Sequence, residues 1–328
     1  MSVPKQHRPD LAVVLCVYNG RRWLTQAVDS ILSQTFPDFR LIVVDDGSTD
    51  GSGELVRSYR DPRIELIHQE RQGCGGARSA GVRAADTEFV AFMDADDISE
   101  KTRLALQHEF LVAHPDVAAV GCSIRITDHT GQPVFTQRVP TGAARCRRRI
   151  LQEKFYCYGS ALMVRRRPAV HVGLFRSFFE QREDVDFMLR MAQKYHIDNV
   201  PDVLYRYRMN MEGASHRDPR PGHYYHRIAY ELACERRDKG CDRLQRGVAI
   251  QPYKANGRPQ PGPRNIDDIL YHLHFAEAQL LREQGQTHAA LRHLLKAWTL
   301  APLSRRTLHR AMKLLQTRPD RSEPERYR

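Results

Sequence analysis

The sequence predicts an α/β fold: a mostly parallel, mixed sheet with helices on both faces, followed by a C-terminal α-helical region. Three observations carry this. Short apolar runs at residues 11–17, 41–44, 64–68 and 88–93 alternate with segments of helical periodicity, the rhythm of linked strand–helix–strand units. The runs are almost continuously apolar, as expected of strands covered on both faces. Polar clusters follow the first, second and fourth runs, and open sheets of this kind bind ligands at the carboxyl ends of their strands.

Each element follows from local chemistry. Tyr18-Asn19-Gly20 ends the first strand with turn residues. Residues 21–34 place Trp23, Leu24, Ala27, Val28, Ile31 and Leu32 on one helical face, and Pro37-Asp38 stops the pattern. The second strand leads into Asp45-Asp46-Gly47-Ser48-Thr49-Asp50-Gly51, then a short helix over 54–59 and the third strand. Gly73, Gly75 and Gly76 precede a helix predicted from about 77 to 85. The fourth strand surfaces at Asp94-Ala95-Asp96-Asp97, and a helix over 101–114 follows. Residues 118–127 read as a strand with an antiparallel partner at 134–138, across the turn Asp128-His129-Thr130-Gly131. The basic run 145–149 reads as a solvated helix start, 161–164 as a short strand, 183–195 as a helix opening on Glu183-Asp184-Val185-Asp186, and 200–208 as a strand.

Beyond Arg217 the character changes. Helical periodicity spans 224–239, residues 251–264 are rich in Pro and Gly and read as a linker, and a helix pair is predicted at 269–284 and 287–300, with a last helix at 307–316. Ala276, Leu280, Leu281, Gly285, Ala289, Ala290, Leu294, Leu295, Ala297, Leu300 and Pro302 resemble one tetratricopeptide-type hairpin. One such unit cannot bury its own face, so it is expected to pack on the helix before or after it, on the sheet domain, on a protein partner or on a second copy. The expected organisation is a sheet domain at 1–216, a helical region at 217–317 and a disordered tail at 318–328.

The 328-residue chain is 41% hydrophobic, enough for a sizeable core, and carries a net charge of +12, which favours anionic partners without choosing among them. Seven cysteines without a CxxC pair read as free thiols in a reducing compartment. The polar stretch 1–10 has no apolar signal core and no run reaches membrane-helix length, so the expectation is a cytoplasmic protein, at most peripheral at the inner face of the plasma membrane.

Three carboxylates within four residues repel one another and disfavour joint ionisation; a cation among them removes the conflict. Hard oxygen ligands suit Mg²⁺ or Mn²⁺, ions that commonly also hold phosphate. The competing reading is an acidic turn in which Asp96 or Asp97 caps the next helix. The other clusters decide. Val17-Tyr18-Asn19-Gly20, Ser30 to Thr35, Val44 to Asp50, Gly76-Ala77-Arg78-Ser79-Ala80-Gly81, Met93 to Asp97 and Arg182-Glu183-Asp184, in this order and spacing, resemble the family 2 inverting glycosyltransferases, whose fold is the nucleotide-diphospho-sugar fold GT-A. The resemblance spans residues 11–216, and Ser79 stands where the family usually has Asn.

The resemblance implies roles. Tyr18, with Asn19 beside it, resembles the residue that stacks on the nucleotide base, and Asp46 the carboxylate that accepts from the base N–H. Arg78 would face the diphosphate together with backbone N–H groups. Asp94 would contact the ribose and the metal environment, and Asp96 would ligate Mn²⁺ or Mg²⁺. Asp97 either ligates through water or caps the following helix, capping being favoured. Asp184 matches the catalytic base, with Glu183 and Asp186 as neighbours that could be mistaken for it. His216 either reaches the metal or the diphosphate or is a surface histidine.

The implied activity is transfer of a sugar from a nucleoside-diphosphate sugar, with UDP the commonest donor nucleotide, to a glycan or lipid-linked acceptor, as in bacterial surface polysaccharide synthesis. A nucleotidyltransferase of related fold is disfavoured because Tyr18-Asn19 occupies the place of the Gly-rich loop after the first strand. A basic scaffold or nucleic-acid-binding protein is disfavoured by the intact acidic set, and no nucleic-acid partner is expected.

Overall fold

The computed structural model describes residues 9–154, 156–210, 218–254, 273–274, 277–278, 281–282 and 286–300. The chain divides into two compact units, Met1–Gln260 and Pro261–Arg328.

In the first unit, four parallel strands form one half of the sheet: β1 (Leu11–Val17), β2 (Phe39–Asp45), β3 (Ile64–His68) and β4 (Phe89–Asp94). The sheet order is β3-β2-β1-β4, continuing through β8 (Met163–Arg165), β6 (Val117–Thr127), β9 (His196–Arg208) and β5 (Ile98–Ser99), with β7 (Pro133–Gln137) paired to β6. β8 runs antiparallel to both β4 and β6, and this inversion makes the sheet mixed. The register sets Val17 opposite Asp45 and Cys16 opposite Asp94, so the clusters after β1, β2 and β4 emerge on one rim.

The helices are α1 (Arg21–Leu32), α2 (Ser52–Ser58), α3 (Gly73–Ala84), α4 (Arg103–Ala113), α5 (Ala143–Leu151), α6 (Arg166–His171), α7 (Glu183–Lys194) and α8 (Pro219–Lys239). Against one sheet face, Ala12, Val14, Ile42, Val44, Val90 and Phe92 share a core with Ala77 and Val82 of α3 and Phe187 and Met191 of α7. The fit of α3 on β1 needs Gly81: a Cβ there would lie 2.4 Å from Val14 Cγ1.

Three of the differences from the sequence reading bear on the site and its supports. Gly73, Gly75 and Gly76 do not form a loop before α3 but make its first turn. At Gly75 the reason is close approach, since a Cβ would meet Glu183 Cβ and Cγ and Phe175 Cβ, all at 3.3 Å. Residues 98–99 form a strand paired to β9, and α4 starts later, at Arg103. Finally α8 belongs to the first unit: Tyr225, Ile228, Ala229, Leu232 and Ala233 are buried in the same core as α7. The first compact unit accordingly extends to Gln260.

In the second unit the helix Thr287–Leu300 matches its predicted span. Ala278, Leu281, Ala290, Leu294 and Ala297 are buried together, whereas Leu295 is exposed. The predicted helix at 307–316 and the tail at 318–328 lie outside the described residues. Among the described residues no helix is long and apolar enough to cross a membrane.

Where the parallel half meets the inverted strand, Arg103 is wholly buried. Its Nη2 donates to the carbonyls of Phe92 (2.8 Å), Ser160 (3.3 Å) and Leu162 (3.4 Å), and its Nε to Gln107 Oε1 (3.0 Å). Gln107 in turn donates to the carbonyls of Val120 and Ala161. A buried cation here adds a charged donor to backbone carbonyls of β4 and of the turn before β8. Arg103→Leu is expected to lower the unfolding free energy by about 3 kcal/mol or more, because several buried carbonyls lose a charged donor at once. Urea denaturation checks this, and a loss below about 1 kcal/mol would contradict it.

Candidate active site

The rim is stitched together before any ligand is considered. Asn19 adopts a left-handed conformation (φ 50°), its N–H donates to Ser48 Oγ at 3.0 Å, and its Oδ1 accepts from Thr49 N at 2.8 Å. Asp50 accepts from Arg21 N at the start of α1 and from Ser52 N and Oγ at the start of α2, tying two helix N-termini to one carboxylate. The buried Asp45 accepts from Ser48 N at 2.9 Å and lies 3.1 Å from His68 Nδ1. The predicted nucleotide residue Asn19 thus has a bracing role in this arrangement, and Asp50 does as well.

Asp46 is buried at the end of β2. Its Oδ1 accepts from Gln69 Nε2 (2.7 Å) and Gln72 N (2.8 Å), and its Oδ2 from Gly73 N (2.8 Å). It therefore anchors the segment between β3 and α3 as well as lining the rim. Tyr18 is 43% exposed, and the guanidinium of Arg71 stands 4.0 Å from its ring centroid while Arg71 Nη1 donates to its hydroxyl. An aromatic face offered to a planar group is present, with a cation already stacked on it.

Arg78 departs from the expected diphosphate-facing pose. It is buried in α3, where Nη2 donates to Asp94 Oδ1 at 2.8 Å and Nη1 to Glu183 Oε1 at 2.7 Å. Both ends of its fork are held by carboxylates, so it joins the end of β4 to the first turn of α7. Ser79, one residue on, donates to the Phe175 carbonyl and accepts from the Phe175 N–H, fastening α3 to the segment before α7.

The acidic turn separates into distinct roles. Asp97 does not cap a helix. It is buried, accepts from Arg208 N at 2.8 Å, and so locks the turn to β9; α4 is preceded by Thr102 without a side-chain cap. Burial, with the charges of Asp96 and Asp94, pushes the Asp97 carboxyl well above the usual range. Asp94 spends one oxygen on Arg78 and keeps part of its surface open. Asp96 is pushed up to about 6, first by burial and then by the charge of Asp94. That unrelieved repulsion is what a divalent cation would remove, so the pair fits one. Among the described residues no three His, Cys, Asp or Glu side chains gather into a metal-binding group. His216 and the neighbouring Ser215 lie outside the described residues.

Glu183 and Asp184 open α7 after Arg182, which holds a left-handed conformation (φ 62°) rare for a non-glycine residue. Burial and the charge of Asp184 raise the Glu183 carboxyl while Arg78 opposes them. Asp184 Oδ1 accepts from Val185 N at 2.9 Å. Its other oxygen packs over the backbone of Gly159, where a Cβ would come within 2.7 Å of Oδ2. Residues Gly159, Arg71, Gln69 and Glu183 were not singled out for this site from sequence; Glu183 alone carried a visible signal, its place beside Asp184.

With this geometry in view, the comparisons are specific. A model described as Glycosyl transferase family 2 matches residues 12–173. A curated relative, the uncharacterized glycosyltransferase alr2836 of Nostoc sp., is 41% identical over 97 residues, 29% of this chain and 30% of that protein. Other curated matches are covered over as little as 15% of their length, so the chain spans less than a third of such relatives. Among solved structures, S. aureus TarS 1-349 in complex with UDP aligns with a TM-score of 0.54 at 16% identity, covering 89% of this chain and 88% of that one. Mannosyltransferase PcManGT from Pyrobaculum calidifontis, in complex with GDP-Man and Mn²⁺, aligns at 0.51 with 22% identity, covering 94% and 80%. These two likenesses show a shared GT-A fold.

The Asp96 shift has a signed consequence for stability. A carboxyl raised to about 6 in the folded state favours folding while protonated; that contribution is present below about pH 4 and lost as pH rises through 6. In metal-free buffer, Asp96→Asn is expected to stabilise the protein by roughly 1–3 kcal/mol at pH 7.5 and by much less at pH 4.5. Urea titrations at the two pH values test it, and an equal effect at both would contradict the shift.

Proposed function

We infer that this chain, a member of glycosyltransferase family 2 through residues 12–173, moves a sugar from a nucleoside-diphosphate donor to a hydroxyl of a glycan or lipid-linked acceptor with inversion at the anomeric carbon. The observation that carries this reading is the Arg78 bridge, which ties the carboxylates suited to a metal and diphosphate to the helix that presents Asp184.

In this reading a donor base stacks at Tyr18, with Arg71 moving aside or closing on the other face of the base. Asp46 offers the base edge its Oδ2, which accepts only one hydrogen bond from the described residues. The UDP complex of TarS supports uridine as the base, and the GDP-Man complex of PcManGT shows that the fold also serves guanosine donors. Asp94 and Asp96 would hold Mn²⁺ or Mg²⁺, which when bound neutralises charge on the departing nucleoside diphosphate.

Asp184 supplies the remaining chemistry. With Oδ1 engaged by Val185 N–H, Oδ2 is the oxygen available to an acceptor hydroxyl. As the hydroxyl oxygen bonds to the anomeric carbon, the bond to the diphosphate oxygen breaks and the hydroxyl proton passes to Asp184. A carboxylate is a weak base, so placement over Gly159 and beside the fixed Glu183 must carry much of the effect. The +12 net charge supports an acceptor presented at an anionic membrane face.

Asp184→Asn is expected to reduce sugar transfer by at least about a thousandfold while leaving UDP affinity, read by calorimetry, within about twofold. Joint loss of transfer and binding would reject the base assignment. Asp96→Ala should weaken UDP binding roughly tenfold or more in the presence of Mn²⁺ and hardly at all without it. Equal affinities with and without the ion in the unaltered protein would contradict the ligand role.

A further inference from the structure

A cavity with cationic lining lies among α5, α7 and α8, in residues that the sugar-transfer reading does not use. Its volume is about 380 Å³, and it is lined by Arg147 of α5, by Arg190, Gln193 and Lys194 of α7, and by Arg236 and Arg237 of α8. Lys194 lies ten residues after Asp184 on the same helix, about 15 Å along its axis.

Its floor is a buried charge network that does not balance. Asp186 and Asp242 are fully buried, and three guanidinium groups converge on them. Arg176 pairs with both carboxylates, Arg190 with Asp186, and Arg236 with Asp242. Three cations against two anions leave one positive charge uncompensated where desolvation is costly. Arg236 shows the deficit directly: its side chain is 9% exposed, its Nε donates to Gln193 Oε1 at 2.7 Å, and its Nη2 is buried without an acceptor. Burial and the neighbouring guanidiniums hold Arg190 and Arg236 below the usual arginine range, as expected where an anion is lacking.

Exposed cations surround this floor. Arg147 donates only through Nε, to the Ala192 carbonyl, and Lys194 has no ion pair among the described residues. Basic residues near helix C-termini complement the helix dipole, which accounts for Lys194 and Arg237 but not for the buried excess at Arg190 and Arg236. Leu151, Val172, Leu189 and Ala233 give the cavity an apolar wall beside the cations.

We propose that this cavity binds a phosphoryl or diphosphoryl group carried on an apolar or small organic substituent, with Arg147, Lys194 and Arg236 as its cationic contacts. Guanidinium groups suit phosphate oxygens as bidentate donors, and an anion in the cavity would offset the positive charge of the network beneath it. The shared chemistry is the phosphate; its source is either a phospholipid headgroup or a soluble phosphate compound.

The test uses the full chain in metal-free buffer, with inorganic pyrophosphate and phosphatidic acid vesicles as probes and phosphatidylcholine vesicles as control. Calorimetry or co-sedimentation should show binding of at least one phosphate probe. The double variant Arg147→Glu/Lys194→Glu, altered only at exposed positions, should weaken it by about tenfold or more. Arg147→Lys should keep most of the affinity, and saturating UDP, which fills the other site, should change it less than about twofold. Binding of vesicles alone identifies a lipid headgroup; binding of pyrophosphate identifies a soluble phosphate. The proposal is overturned if neither probe binds, if the double variant binds as tightly as the unaltered protein, or if saturating UDP displaces the probe.

Discussion

The constraint on which this site depends is the fork of Arg78. A guanidinium buried between two carboxylates is stable only if both are held in place. Asp94 is held because β4 runs beside β1 in fixed register, and Glu183 because the left-handed Arg182 starts α7 at that point. Gly75 and Gly81 let α3 come close enough to α7 and β1 for the arginine to span them. The two halves of the site are far apart in sequence, and one side chain measures the gap between them. A substitution at Arg78 would therefore disturb the placement of both acidic groups, whatever it does to ligand binding.

Around that bridge the acidic residues are graded by how fully the protein itself satisfies them. Asp45, Asp46 and Asp50 each accept from two or more donors and act as braces between loops. Asp97 is buried against β9. Asp94 is half committed to Arg78, and Asp96 is left in repulsion with it. Asp94 and Asp96 are the pair left facing each other at the rim, and their mutual repulsion is what a bound cation could relieve. The same logic marks the second cavity, where the unsatisfied charge is positive.

Much of this was legible in sequence, for identifiable reasons. Continuous apolar runs specify buried parallel strands, and the position of polar clusters after β1, β2 and β4 places Tyr18, Asp46, Asp94 and Asp96 on one rim. The helix Thr287–Leu300 was visible from its periodicity alone. What was not legible depended on contacts between distant residues. Gly73, Gly75 and Gly76 read as a loop because glycine disfavours helices, yet they open α3, where Gly75 packs closely against Glu183 and Phe175. Asp97 read as a cap because capping is local, while its actual partner is the backbone of Arg208, 111 residues away. The engagement of Arg78, the cation over Tyr18 and the floor that Gly159 provides for Asp184 are likewise nonlocal.

Helix α7 links these observations physically. Its first turn presents Glu183 and Asp184 to the rim, Asp186 one turn later is wholly enclosed by arginines, and Arg190 and Lys194 reach the second cavity. Negative charge at its N-terminus and positive charge toward its C-terminus both favour the helix. Asp186 cannot be mistaken for a base in the folded protein, because both of its oxygens are engaged by Arg176 and one also by Arg190. Within this network Arg236 Nη2 is left without an acceptor. An anion settling there would relieve charge repulsion within the network that grips the middle of α7. The placement of Asp184 and the occupancy of the cavity therefore act on one rigid element, about ten residues apart.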